Sequence, residues 1–235
     1  METDTHPLKP FRAHRHLMSE PSFIMKIPHL FRPILVTLCL FVLPASVFAG
    51  TPLICHPYAI GDARSLPAGD WKGTDPSYDR TNLVRDTLAL LKSDTPVIVR
   101  METLRRAAIY ATGNMRKWRG VSYTTDDHAV ALALLNALRE RTVKPTGASA
   151  DLALFDVAFF TETLRQTEFD PALNGYDLLL KVAEQRRNDP DVQFALALAS
   201  SWPKRPEHQA HLAQATAGAK PGTLLAANLG THFQR

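Results

Sequence analysis

Four places in this chain carry residues whose types and spacing could do chemistry. Cys55 and His56 are adjacent, and a thiolate beside an imidazole is a nucleophile, a redox group or a metal ligand. Neighbours in an extended segment point to opposite sides, so His56 is poorly placed to activate Cys55. A thiol packed beside Ile54 and Ile60 is the simpler expectation. Glu207, His208 and His211 are the second place. Histidines three apart share a helix face and offer two metal ligands. The zincin helix differs, with its histidines four apart around a general base. Distant His128 and His232 could complete a site only by accident of folding, so a solvated helix face is the competing reading.

The third place is Ser201-Trp-Pro-Lys204, which has the Ser-x-x-Lys spacing of penicillin-binding enzymes. The accompanying Ser-Asp-Asn and Lys-Thr-Gly motifs are missing, and Pro203 breaks the helix that would align Ser and Lys. The fourth is a set of carboxylates. Glu102 precedes Arg106 by four and reads as a helix-face ion pair. Asp156 sits among Leu152, Phe155, Val157, Phe159 and Phe160. A carboxylate in such surroundings needs a cation or donors, for which Arg100, Arg105 and Arg106 are candidates. A cross-helix bridge is the expected role, with a catalytic acid as the alternative. No phosphate-cradling glycine loop, Cys-x-x-Cys pair or haem-attachment motif occurs, and no cofactor is expected.

The elements that position these groups begin with an export signal. From Met25, Lys26 and Arg32 form a short basic region, and Ile34 to Leu43 is an apolar core. That core is shorter than the ~20 residues a bilayer span needs. Pro44 interrupts it, and Val47-Phe48-Ala49 places cleavage after Ala49. Residues 1–24 read as a polar leader or a start-site artefact, and 25–49 as the signal peptide. Export predicts a periplasmic or secreted protein with no membrane span after cleavage. Cys39 leaves with the signal, so the remaining 186 residues keep Cys55 alone and have no internal disulfide. The first 49 residues carry five Lys or Arg and three Asp or Glu of a chain with formal charge +4, leaving about +2. That near-balance argues against nucleic acid.

Residues 50–77 hold Pro52, Pro57, Pro67 and Pro76 with Gly61, Gly69 and Gly73. Long regular elements are excluded, and an extended arm lying on the rest of the molecule is expected. Residues 78–235 read as a helical domain. Helical periodicity and caps place eight helices: 79–92, 96–110 behind Thr95-Pro96, and one behind the Thr124 to Asp127 cap. The next begins at Ser149 or Asp151, then others at Asn174-Gly175 or Asp170-Pro171, at Asp189-Pro190, around Glu207 and after Pro221-Gly222. The β-branched residues never alternate with period two, so no strand is expected. The fold class is therefore all-α, as antiparallel hairpins in a solenoid-like or irregular bundle behind an extended arm.

Segments 171–202 and 203–235 are each close to the ~34-residue period of a helical repeat. With Tyr176, Leu179, Ala183 and Phe194-Ala-Leu-Ala197, the last third resembles tetratricopeptide or HEAT-like repeats, although the Trp, Gly and Tyr signature spacing is missing. The resemblance implies architecture and brings no functional residues. For function, the loop Arg116, Lys117, Trp118, Arg119 and Tyr123 offers the side-chain types that anchor interfaces; its bland reading is an ordinary basic connector. The expectation is a non-enzymatic exported scaffold binding a protein or peptide. The competing one is an envelope hydrolase or metal-dependent enzyme using Glu207, His208 and His211 or the Cys55 thiol.

Overall fold

Polar residues flanking the apolar runs set where the helices begin. The computed structural model describes residues 52–69, 74–113, 120–144, 149–202 and 204–233, which are helical with no strand among them. The segments 1–24 and 25–49, together with Arg116, Lys117, Trp118 and Arg119, lie outside the described residues. In chain order the helices are α1 (Pro52–Cys55), α2 (Leu83–Leu90) behind a 3-10 turn at Arg80–Asn82, α3 (Val97–Ala111) and α4 (Thr125–Val143). They continue as α5 (Ala150–Gln166), α6 (Tyr176–Gln185), α7 (Pro190–Ser201), α8 (His208–Gly218) and α9 (Leu224–Phe233).

Several starts follow the expected chemistry. The Asp127 N–H donates to Thr124 Oγ1 at 3.1 Å and the Thr124 N–H donates to Asp127 Oδ2 at 2.9 Å, a reciprocal capping box at α4. Asp189 accepts from the Asp191 and Val192 N–H groups, with Pro190 opening α7. At α3 the cap differs from expectation. Pro96 holds the cap position, while the Thr95 hydroxyl donates to the Leu90 carbonyl at 2.8 Å and accepts from the Lys92 N–H. The turn from α2 to α3 is tight, and the frayed end of α2 recruits that hydroxyl for its own carbonyl.

Helix α3 is the hub, packing against α1, α2, α4, α5 and α7. Its residues are buried all round except Arg106, and α7 is buried from Val192 to Ser200. Helices buried on every side belong inside, α3 with its charged groups paired, and the amphipathic α2 and α6 lie around them. α9 packs on both α7 and α8, so the last two hairpins close onto the centre instead of stacking as a linear array. The packing is that of an irregular helical bundle.

Gly175 marks the tightest approach. A Cβ there would lie 2.3 Å from the Ala158 carbonyl oxygen and 2.4 Å from the Glu162 nitrogen. Only glycine lets the start of α6 meet the α5 backbone.

The arm is part of the core. Leu53, Ile54, Tyr58 and Leu66 are buried, and the Tyr58 ring meets Phe159 of α5 and Phe194 of α7 edge-on at 6.2 Å each. Each such side chain contributes about 1.5–3 kcal/mol of burial. α1, a single helical turn, was not foreseen within the extended arm.

Candidate ligand cleft

Two buried ionic centres fix the frame around the cleft. In the first, Arg100 and Asp156 are almost wholly buried. One guanidinium nitrogen of Arg100 donates to both Asp156 oxygens at 2.9 and 2.8 Å, its Nε donates to the Thr95 carbonyl at 3.0 Å, and its other nitrogen donates to the Lys92 carbonyl. Arg141 from α4 donates to the Leu91 carbonyl at 2.6 Å and lies 3.9 Å from Asp156. The two cations thus cap the carbonyl end of α2, where the helix dipole favours positive charge. Burial pushes the Asp156 carboxyl up to about 6, against the pull of Arg100 and Arg141.

In the second centre, buried Glu102 accepts from Arg105 at 2.7 and 2.9 Å, from Arg106 at 2.6 Å and from the Tyr58 backbone N–H at 2.9 Å. Burial opposes its ionisation, yet Arg105, the Tyr58 amide and Arg106 together hold its carboxyl below the ordinary value. Arg106 also donates to the Leu66 carbonyl at 2.5 Å, the Tyr110 hydroxyl donates to the Pro67 carbonyl at 3.1 Å, and Ser65 and Thr103 share a hydroxyl hydrogen bond of 3.0 Å. Glu102 is therefore more than a surface helix pair: it anchors the arm.

Between the anchored arm, α2 and the start of α3 lies an open cleft of about 660 Å³. Residues 63–67 form one wall, and Ala89 and Leu90 line the other. Leu66 and Val99, both buried, line its inner surface. Arg64, Lys92, Asp86 and Asp94 give its lining both signs of charge. The Tyr78 hydroxyl donates to Asp86 at 3.0 Å; burial and then Asp86 raise its pKa well above the ordinary value. Arg85 first, then Tyr78, hold the Asp86 carboxyl below its ordinary value although burial opposes them. An apolar floor with a few fixed polar groups around it suits a ligand carrying an apolar side chain and a polar backbone or charges. A second groove of about 610 Å³ lies between Leu88 of α2 and the last turns of α4.

The residues singled out by type and spacing fall elsewhere. Cys55 ends α1 and packs at the core's edge, whereas the His56 ring meets the His232 ring edge-on at 5.8 Å. His208 and His211 do share a face of α8, and that face is turned onto α7. His208 Nδ1 lies 2.8 Å from the Ala197 carbonyl; His211 Nδ1 lies 2.8 Å from Gln193 Oε1 and its Nε2 3.1 Å from the Tyr176 hydroxyl. Burial lowers the His211 pKa, Glu207 opposes that and His208 adds to it. Among the described residues no group of three or more His, Cys, Asp or Glu is arranged to hold a metal ion. The Ser201 hydroxyl donates to the Leu198 carbonyl at 2.9 Å.

Tyr123, from the basic loop, is half-buried. Its hydroxyl donates to the Thr167 carbonyl at 2.5 Å and its ring packs on Phe169, so it serves as a tie between helices. The cleft itself went unforeseen, because residues 63–67 and 86–99 meet only when the arm doubles back. Comparison of the chain with protein-family models, curated proteins and solved structures finds no match.

Proposed function

We propose that this chain is an exported, non-enzymatic helical scaffold that binds a peptide or protein segment in the cleft between Arg64 and Lys92. The observation that carries this reading is the cleft's construction: a buried apolar floor, charges of both signs, and a wall held by Arg106, Tyr110 and Thr103. A pre-formed concave surface lowers the ordering cost of binding. A binding role is favoured over catalysis because the groups suited to acid–base or metal chemistry commit polar atoms to neighbouring helices, as Glu102, Asp156, His208 and His211 do. Export rests on the basic, apolar and small-residue succession ending at Ala49.

Panning a displayed peptide library on the purified protein tests the binding role. Peptides enriched on the wild type are expected to lose at least about tenfold in affinity when Arg64→Glu and Lys92→Glu invert the two cationic groups. Failure to enrich any peptide, or enrichment indifferent to both substitutions, would reject the cleft as the site. N-terminal sequencing of protein recovered from the producing cell tests export, with Gly50 as the expected first residue.

A further inference from the structure

The arm is held as a ligand is held. Its main chain is gripped by side chains from three helices, and beyond the α1 turn the only backbone-to-backbone bond described within residues 56–69 is the internal turn from the Ala63 N–H to the Ile60 carbonyl. The Leu53 N–H donates to Gln166 of α5 at 3.1 Å, and the Ile54 carbonyl accepts from Arg105 of α3 at 3.0 Å. The Tyr58 N–H donates to Glu102 at 2.9 Å. The side-chain amide of Asn228, buried on α9, pairs with both main-chain groups of Ala59, accepting from its N–H at 2.9 Å and donating to its carbonyl at 2.8 Å. At Tyr58 and Ala59, beyond the α1 turn, such contacts read the spacing and direction of an extended chain. Enclosed sites for Leu53, Ile54 and Tyr58 add selectivity for side chains.

We infer that this groove is a binding site for an extended segment, and that its partner beyond the chain's own arm is the arm of a second copy. The gripping side chains all lie on helices far along the sequence, from Glu102 to Asn228, so a second molecule's arm makes every one of these contacts unchanged. On the cleavage after Ala49 put forward above, the arm lies at a chain terminus and exchanges without threading. The short tether between arm and helices gives the chain's own arm an effective concentration on the order of millimolar. Self-occupancy therefore dominates in dilute solution. Exchange appears at high concentration or when the resident arm is weakened.

The test uses the protein expressed with its own leader, carrying Tyr58→Ala in the arm so that the gripping side chains stay intact. The probe is a fluorescein-labelled synthetic peptide of residues 52–69, followed by anisotropy. Saturable binding is expected to the Tyr58→Ala protein, weaker binding to wild type, and a loss of at least about tenfold when Asn228→Ala is added, since two hydrogen bonds disappear. A peptide that itself carries Tyr58→Ala is expected not to bind. No binding to a Tyr58→Ala protein with wild-type helicity, or binding unaffected by Asn228→Ala, would overturn the inference. Should Tyr58→Ala not fold, Ala59→Pro replaces it, removing one arm N–H at an exposed position. Independently, two differently tagged wild-type copies refolded together at ~1 mM are expected to give a mixed dimer on size exclusion; recovery of monomer alone would overturn the inference. Asn228 lies outside the lining of the open cleft, so the effect of Asn228→Ala separates this groove from that cleft.

Discussion

Replacing Asp156 by alanine strips the buried Arg100 of both its carboxylate bonds, at 2.9 and 2.8 Å, while its bonds to the Thr95 and Lys92 carbonyls persist. Breaking one partner of a buried pair costs about 3–5 kcal/mol because the remaining charge cannot rehydrate. At about 2–4 °C per kcal/mol for a chain of this size, Tm should fall by roughly 6–20 °C. The double variant Arg100→Met, Asp156→Leu removes both charges and should recover most of that loss. The pair also sets a pH dependence. Burial raises the Asp156 carboxyl from 3.8 to about 6, so the native state binds this proton more tightly than the unfolded chain does. Its contribution to stability is therefore fully present below about pH 4 and lost as pH rises through about 6. Asp156→Asn should abolish that part of the slope. Urea titrations at pH 4, 5, 6 and 7 on wild type and the three variants measure all of this. A cost below about 1 kcal/mol for Asp156→Ala, or a double variant no more stable than it, would refute the view that buried Arg100 depends on the Asp156 oxygens as hydrogen-bond acceptors.

Other perturbations follow from the same packing. Gly175→Ala drives a methyl group to within 2.3 Å of the Ala158 carbonyl oxygen, and thermal melting should show a loss of about 1–3 kcal/mol or more. Thr124→Ala removes the acceptor for the Asp127 N–H and should cost about 1 kcal/mol in chemical denaturation. Zinc titration by calorimetry should give equally weak binding for wild type and for the His208→Ala, His211→Ala variant, since both rings are turned onto α7. Strong wild-type binding lost in the variant would contradict that orientation.

Much of the helical layout was legible because local chemistry decides it. The Thr124 to Asp127 cap, Asp189-Pro190 and Asn174-Gly175 each precede a helix start. Facing was harder. Arg100, Arg105 and Arg106 were all plausible partners for Asp156, yet five or six residues at ~100° each turn Arg105 and Arg106 well away from Arg100. Arg100 accordingly meets α5, while the other two meet Glu102 and the arm. Spacing likewise put His208 and His211 on one face without saying whether that face looks inward. Asn228, Gln166 and Arg141 were invisible as anchors, since their partners lie 50 to 169 residues away.

The account turns on the arm being a docked component of the bundle, since it supplies one wall of the cleft and fills the groove beside it. Residue-resolved amide hydrogen exchange tests this most directly. The Tyr58 and Ala59 amides, bonded to Glu102 and Asn228, should be protected nearly as well as those of α3 and α7. Exchange of both at the rate of an unstructured peptide, with α3 and α7 still protected, would contradict it.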